Sequence, residues 1–146
     1  RQGLRNRLFR TLGKSSEILN SKNILCNKAK ILQASVSDMP FDDNTFDNIT
    51  AVETYYFWPD KENDVKEVFR VLKQGGTVML LFEMLRTDDD PFKWEKVENM
   101  LNIKSVTPQE IRAVLESAGF ENINTYTKEG TTWLCATAQK PKDDEN

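Results

Sequence analysis

Ser37-Asp38-Met39-Pro40-Phe41-Asp42-Asp43-Asn44-Thr45-Phe46-Asp47-Asn48-Ile49-Thr50-Ala51-Val52 is the stretch from which the fold is read. Pro40 has no N–H to give a ladder and ends whatever strand precedes it. Residues 41–45 are short, polar and turn-forming. From Phe46 the β-branched residues Ile49, Thr50 and Val52 describe a buried strand. Upstream, residues 29–36 (Ala-Lys-Ile-Leu-Gln-Ala-Ser-Val) read as a second, shorter strand that closes at the proline.

Downstream, Asp60 follows Pro59 and is placed to cap a helix running to about Lys73. Val65, Val68, Phe69 and Leu72 fall at i, i+3, i+4 and i+7 and form its core stripe. Gly75-Gly76 supply its left-handed stop. The apolar run Thr77-Val78-Met79-Leu80-Leu81-Phe82 implies a strand covered on both faces, as in a parallel sheet between helices. Asp90-Pro91 open a further helix with Trp94, Val97 and Leu101 on one side. Thr107-Pro108-Gln109-Glu110 is a capping box with proline in the first turn, and that helix buries Ile111, Val114, Leu115 and Ala118 before Gly119. Residues 121–127 and 132–138 form a closing antiparallel hairpin. At the front, 3–12 form an amphipathic helix and 15–27 a weaker one. Strands that alternate with helices call for an α/β sheet, mostly parallel, with a hairpin at one edge.

The chain has 146 residues and no histidine. That excludes Ser-His-Asp and Cys-His nucleophile pairs within it. Cys26 and Cys135 match no metal spacing, so no metal site is assigned, and a reducing, cytoplasmic setting is expected. Asp88-Asp89-Asp90 reads as a solvated capping loop. A base working near neutral pH would have to be a carboxylate, tyrosine or lysine of shifted pKa. Residues 1–30 carry eight Lys/Arg against one acid, Glu17, while the rest holds twelve against twenty-two. An acidic remainder argues against a nucleic-acid surface, and no apolar run reaches the ~18 residues of a membrane span.

Two segments resemble the class I S-adenosylmethionine-dependent methyltransferases, in particular the ubiquinone/menaquinone methyltransferase-like branch. They are residues 37–49 and Glu67-Val68-Phe69-Arg70-Val71-Leu72-Lys73-Gln74-Gly75-Gly76-Thr77-Val78. The resemblance covers about residues 29–140, between a basic helical segment 1–28 and a tail 141–146, all one domain. It implies a Rossmann-like sheet, S-adenosylmethionine as cofactor, and a small organic methyl acceptor. It also implies that Asp38 accepts a hydrogen bond from the adenine amino group and that the Met39 N–H meets a ring nitrogen. Asp38 as a plain turn residue is the alternative. Glu53 and Thr54 would lie beneath the methionine end of the cofactor, and Tyr55 and Tyr56 would frame the acceptor pocket, where aromatic faces attract a sulfonium; core packing under a helix is the equal alternative for the two tyrosines. Phe57 and Trp58 are assigned to core. Glu83 is a weaker candidate for the cleft, Asp47 is structural, and no catalytic base is named.

The departure from the family is the G-x-G-x-G loop and the acid-ended strand after it, neither of which occurs in these residues. Residues 1–28 contain only Gly3 and Gly13, with no strand leading into either. In the family strand order 3-2-1-4-5-7-6 this removes the centre, leaving 29–36 roughly 10 Å from its nearest neighbour. The expectation is a truncated sheet in which 29–36 pairs beside 48–53, or in which a homodimer or partner chain completes it. A fragment or internally deleted enzyme, a short non-catalytic homologue acting by dimerisation or partner binding, and a split enzyme all fit the sequence.

Overall fold

The computed structural model describes residues 13–89 and 93–142. The helix expected at 3–12, the start of the Asp90-Pro91 helix and residues 143–146 lie outside the described residues. The chain divides into two compact units that meet between Ser35 and Val36.

In the first unit residues 13–19 are helical and lead past Asn20 into α1 (Ser21–Leu25). The break falls at Asn20, whose side-chain amide donates to the Ser16 carbonyl at 2.9 Å and so competes with the helix backbone. No residue of α1 is buried, and Leu25 is 84% exposed. The strand expected over 29–36 does not form: residues 29–34 have no regular structure. The N–H groups of Lys28 and Ala29 instead turn back to the Asn23 carbonyl, at 2.8 and 3.3 Å. A strand exists only with a ladder partner, and local apolar content supplies none.

The second unit is built on four strands, β1 (Phe46–Val52), β2 (Leu72–Phe82), β3 (Glu121–Thr127) and β4 (Leu134–Gln139), ordered β1-β2-β4-β3. β1 runs parallel to β2, with Ile49 opposite Val78; the expected pairing of 29–36 beside 48–53 is not made. β4 is antiparallel to both β2 and β3. The sheet is therefore α/β and mixed, with one parallel pair rather than a mostly parallel set.

α2 (Lys61–Val71) and α4 (Pro108–Ser117) pack against the sheet and each other. Between them lies the core of Val65, Val68, Leu72, Val78, Leu80, Phe82, Ile111, Leu115, Leu134 and Ala136. Along β2 burial alternates: Val78, Leu80 and Phe82 are buried while Met79 and Leu81 are half-buried, so the apolar run is not covered equally on both faces.

The local signals were sound. Asp60 caps α2, its carboxylate accepting from the Asn63 N–H. Both halves of the Thr107/Glu110 capping box are made. α3 spans Glu95–Leu101 with Trp94 at its cap, but Leu101 is exposed rather than part of a buried stripe.

The end of α2 differs from expectation. The helix passes at Leu72 directly into extended chain, and Gly75 (φ 73°) serves an irregularity inside β2 instead of a helix stop. At the end of the helix the Arg70 and Val71 carbonyls are taken by the Asn44 and Thr45 N–H groups, and those of Phe69 and Leu72 by Lys140, which is only 5% exposed. Its ammonium donates to Phe69 O at 2.9 Å, Leu72 O at 2.8 Å and Asn44 Oδ1 at 2.9 Å.

Candidate functional site

β1 and β2 are the parallel pair, and in an open α/β sheet ligands bind beyond the carboxyl ends of such strands. β1 ends at Val52 and β2 at Phe82, so Glu53 and Glu83 are the first residues past the two ends. The Glu53 N–H donates to Leu81 O at 3.0 Å, which continues the ladder by one step. Glu53 has φ 56°, a left-handed backbone that costs a residue with a β-carbon about 1–2 kcal/mol. The turn it makes sends the chain into the 3-10 turn Tyr55–Phe57, begun by the exposed Thr54.

Burial pushes the Glu53 carboxyl above its ordinary range, and the Glu83 charge adds to this while the Glu83 N–H partly offsets it. Burial also pushes both Tyr55 and Tyr56 up to about 12. Both phenols are neutral at physiological pH, which removes them as bases; the shift carries the Glu53 pKa toward neutral pH and the two phenol pKa values away from it.

The aromatic run departs from the reading of its sequence at Phe57, while Trp58 packs against the core as assigned. Tyr55 and Tyr56, given either a pocket wall or core packing, are each 5% exposed and belong to the core, whereas Phe57, assigned to core, is 59% exposed. Tyr55 meets Phe82 edge-on at 5.5 Å and Trp58 at 5.2 Å. The Tyr56 ring lies 5.8 Å from Phe82, and its hydroxyl accepts the Met84 N–H at 2.8 Å. The rings thus underlie the ends of β1 and β2. Periodicity could not find this, because a 3-10 turn turns consecutive residues about 120° apart.

Asp38 and Met39, the other two candidates, lie on the segment that leads to β1. The Asp38 side chain is exposed. Met39 is half-buried and its N–H is engaged, donating to Glu67 Oε1 of α2 at 2.9 Å. Glu67 is held in turn by Arg70, whose fork contacts both carboxylate oxygens at 2.8 and 2.7 Å. This hydrogen bonding holds the Glu67 carboxyl below its usual range, the Arg70 contact being the larger cause.

Sequence reasoning gave Glu67 and Arg70 no role. Their i, i+3 spacing was visible, but their partners lie 27–31 residues away. Asp64 is also new: it is fully buried, with Oδ2 accepting the Asp60 N–H at 3.0 Å and Oδ1 without a partner. A cavity of about 760 Å³ lies elsewhere, in the first unit between residues 17 and 31, and none of the six predicted site residues lines it.

An exposed carboxylate on the loop before β1, and a half-buried one after it, fit the acceptor-rich rim of a Rossmann-like ligand-binding domain. Comparisons with known proteins make that class specific. Residues 11–80 match the family described as methyltransferase domain. The chain is 29% identical over 125 residues to the uncharacterized methyltransferase YdaC of Bacillus subtilis, covering 84% of this chain and 64% of that one. It is 30% identical over 128 residues to the ubiquinone/menaquinone biosynthesis C-methyltransferase UbiE of Cronobacter sakazakii, covering 73% of this chain and 51% of that one. Among solved structures it resembles an S-adenosylmethionine-dependent methyltransferase of Thermotoga maritima, with a TM-score of 0.66 at 21% identity over 77% of this chain and 65% of that one.

The chain is thus similar in sequence to the methyltransferase domain over residues 11–80 and in fold to an S-adenosylmethionine-dependent methyltransferase. It spans between 51% and 64% of the length of these two curated relatives. Among the described residues no helix is long and apolar enough to cross a membrane.

Proposed function

We propose that this chain supplies the adenine rim and the acceptor-side floor of an S-adenosylmethionine-dependent methyltransferase acting on a small organic acceptor. The observation that carries the reading is the coincidence of the family match over residues 11–80 with the Asp38 loop, β1, α2 and most of β2. Fold alone would not suffice, since one α/β architecture hosts many chemistries.

The residues present fit the adenosyl end of the cofactor. The exposed Asp38 carboxylate accepts from an exocyclic amine and rejects a carbonyl at the same place. Glu53 and Thr54, just past β1, are placed for the more polar part of the ligand. No G-x-G-x-G run occurs in these 146 residues, so this chain's own contribution is assigned to the adenine side and the floor. When bound, the cofactor supplies an electrophilic sulfonium methyl. What the chain adds is placement, because displacement at that carbon depends on in-line approach more than on an acid/base pair. Tyr55 and Tyr56 hold the ends of β1 and β2 firm from below, and the exposed Phe57 offers an apolar face to an acceptor. The second edge of β1 is where a partner strand, from a second copy or another chain, would extend the sheet.

Calorimetric titration of the 146-residue chain with S-adenosylhomocysteine tests this. Micromolar binding is expected, and Asp38→Asn should weaken it by about tenfold to a hundredfold, the worth of a hydrogen bond to a charged group. No heat at millimolar ligand would overturn the proposal.

A further inference from the structure

The loop between Met39 and Thr45 is fastened to the last two turns of α2 by one arginine and one glutamate. Arg70 Nε and Nη2 clasp Glu67 at 2.8 and 2.7 Å. Nη1 donates to Phe41 O at 2.9 Å and Asp43 Oδ1 at 2.7 Å, and Nη2 reaches Met39 O at 3.2 Å. Glu67 Oε1 takes the Met39 N–H at 2.9 Å. The helix backbone adds two more ties, Asn44 N–H to Arg70 O at 3.0 Å and Thr45 N–H to Val71 O at 2.8 Å.

Both polar groups of the Met39 backbone are therefore occupied from α2, one by each member of the ion pair. With both engaged, the two peptide planes on either side of Met39, the first of them directly after Asp38, have fixed directions. The family resemblance implied a different use for the Met39 N–H, as a donor to the adenine ring. In this chain that donor is already paired with a carboxylate, and a charged acceptor is a stronger competitor than a neutral ring nitrogen.

We propose that Glu67 and Arg70 are the positioning residues of the adenine rim. Together they hold the backbone from which Asp38 projects, and they leave discrimination of the nucleobase to the Asp38 carboxylate instead of the Met39 N–H. The inference rests on the functional reading above and deepens it by naming what sets the selectivity of that site. Neither residue touches the ligand; both act through Met39. The chemistry recognised is an exocyclic amine on a purine, so adenosine should bind in preference to inosine, which carries a carbonyl there.

The test uses the 146-residue chain, Glu67→Ala, Glu67→Gln and Arg70→Lys, with two readouts. Amide hydrogen exchange followed by NMR should quicken by about tenfold at Met39, Phe41 and Asn44 in Glu67→Ala, while Ile111 and Leu115 in α4 keep their rates. Glutamine retains an acceptor for the Met39 N–H and should restore part of that protection, which also serves if the alanine variant folds poorly. Calorimetry with adenosine and inosine should show the preference for adenosine falling toward unity in Glu67→Ala and Arg70→Lys. Unchanged exchange at Met39 and Asn44 would overturn the latch itself, whatever the protein's function. Lower stability with an unchanged adenosine-to-inosine ratio would reduce the pair to scaffolding and overturn the positioning role. If the parent chain binds neither nucleoside, the functional reading fails and the rim role fails with it, while the exchange data still report whether the loop is latched.

Discussion

Replacing Lys140 with methionine removes the ammonium and keeps the stem. In the native fold the amine donates three hydrogen bonds, to Phe69 O, Leu72 O and Asn44 Oδ1, and stands 4.6 Å from the centre of the Phe69 ring. A hydrogen bond from a charged donor contributes about 1.5–3 kcal/mol net. The three do not add, because the lost hydration of a single ammonium is set against all of them. The variant also leaves the Phe69 and Leu72 carbonyls without this donor at the end of α2, each with a desolvation cost of about 1 kcal/mol or more. A net loss of about 2–4 kcal/mol is expected, a large part of the ~5–15 kcal/mol that holds a domain together. Urea unfolding followed by tryptophan fluorescence should show the midpoint falling by on the order of 1 M or more at an unchanged slope. A shift below about 0.3 M would mean that the helix end is satisfied without this lysine, and would refute the account of how α2 terminates.

Two further outcomes follow from the same geometry. A β-carbon on Gly76 would stand 2.8 Å from Lys73 O and 2.9 Å from both Asp47 O and Leu72 Cγ. Backbone oxygens cannot swing aside, so Gly76→Ala should cost about 1–3 kcal/mol and lower the midpoint of thermal unfolding by several degrees; an unchanged midpoint would contradict the close approach of β1 to β2. Glu53 has a folded pKa raised by burial above its ordinary value, so the folded chain binds its proton more tightly than the unfolded one and loses stability as pH climbs through that window. Glu53→Gln has no proton to lose, so its stability relative to the parent should rise as pH increases from 4.5, and an advantage that shrinks with pH would reverse the sign assigned to this group.

Local signals in the sequence led to correct elements wherever partners lie within one turn. Asp60 and Asn63, and Thr107 and Glu110, are three residues apart, and each cap is made as its spacing implies. The hairpin of β3 and β4 was legible because two strand-like runs are joined by a short turn segment containing Gly130. Residues 29–36 show the limit of such reasoning: β-branched and apolar content made a strand plausible, but a strand is a relation between two segments. The aromatic run shows another limit. Which ring of Tyr55-Tyr56-Phe57-Trp58 enters the core depends on the left-handed turn at Glu53, and composition does not encode that turn.

The sequence by itself determined the α/β class, because short-range hydrophobic period, capping and turn chemistry survive in one dimension; Asp38 is a candidate only through the motif resemblance around it. Tertiary structure alone decided that Lys140, the first residue past β4, closes α2, and that Glu67 and Arg70 hold the loop behind Asp38. Those roles belong to side chains whose partners lie 28 to 71 residues away, and only the packed sheet brings such groups within the 3 Å or so at which a hydrogen bond forms.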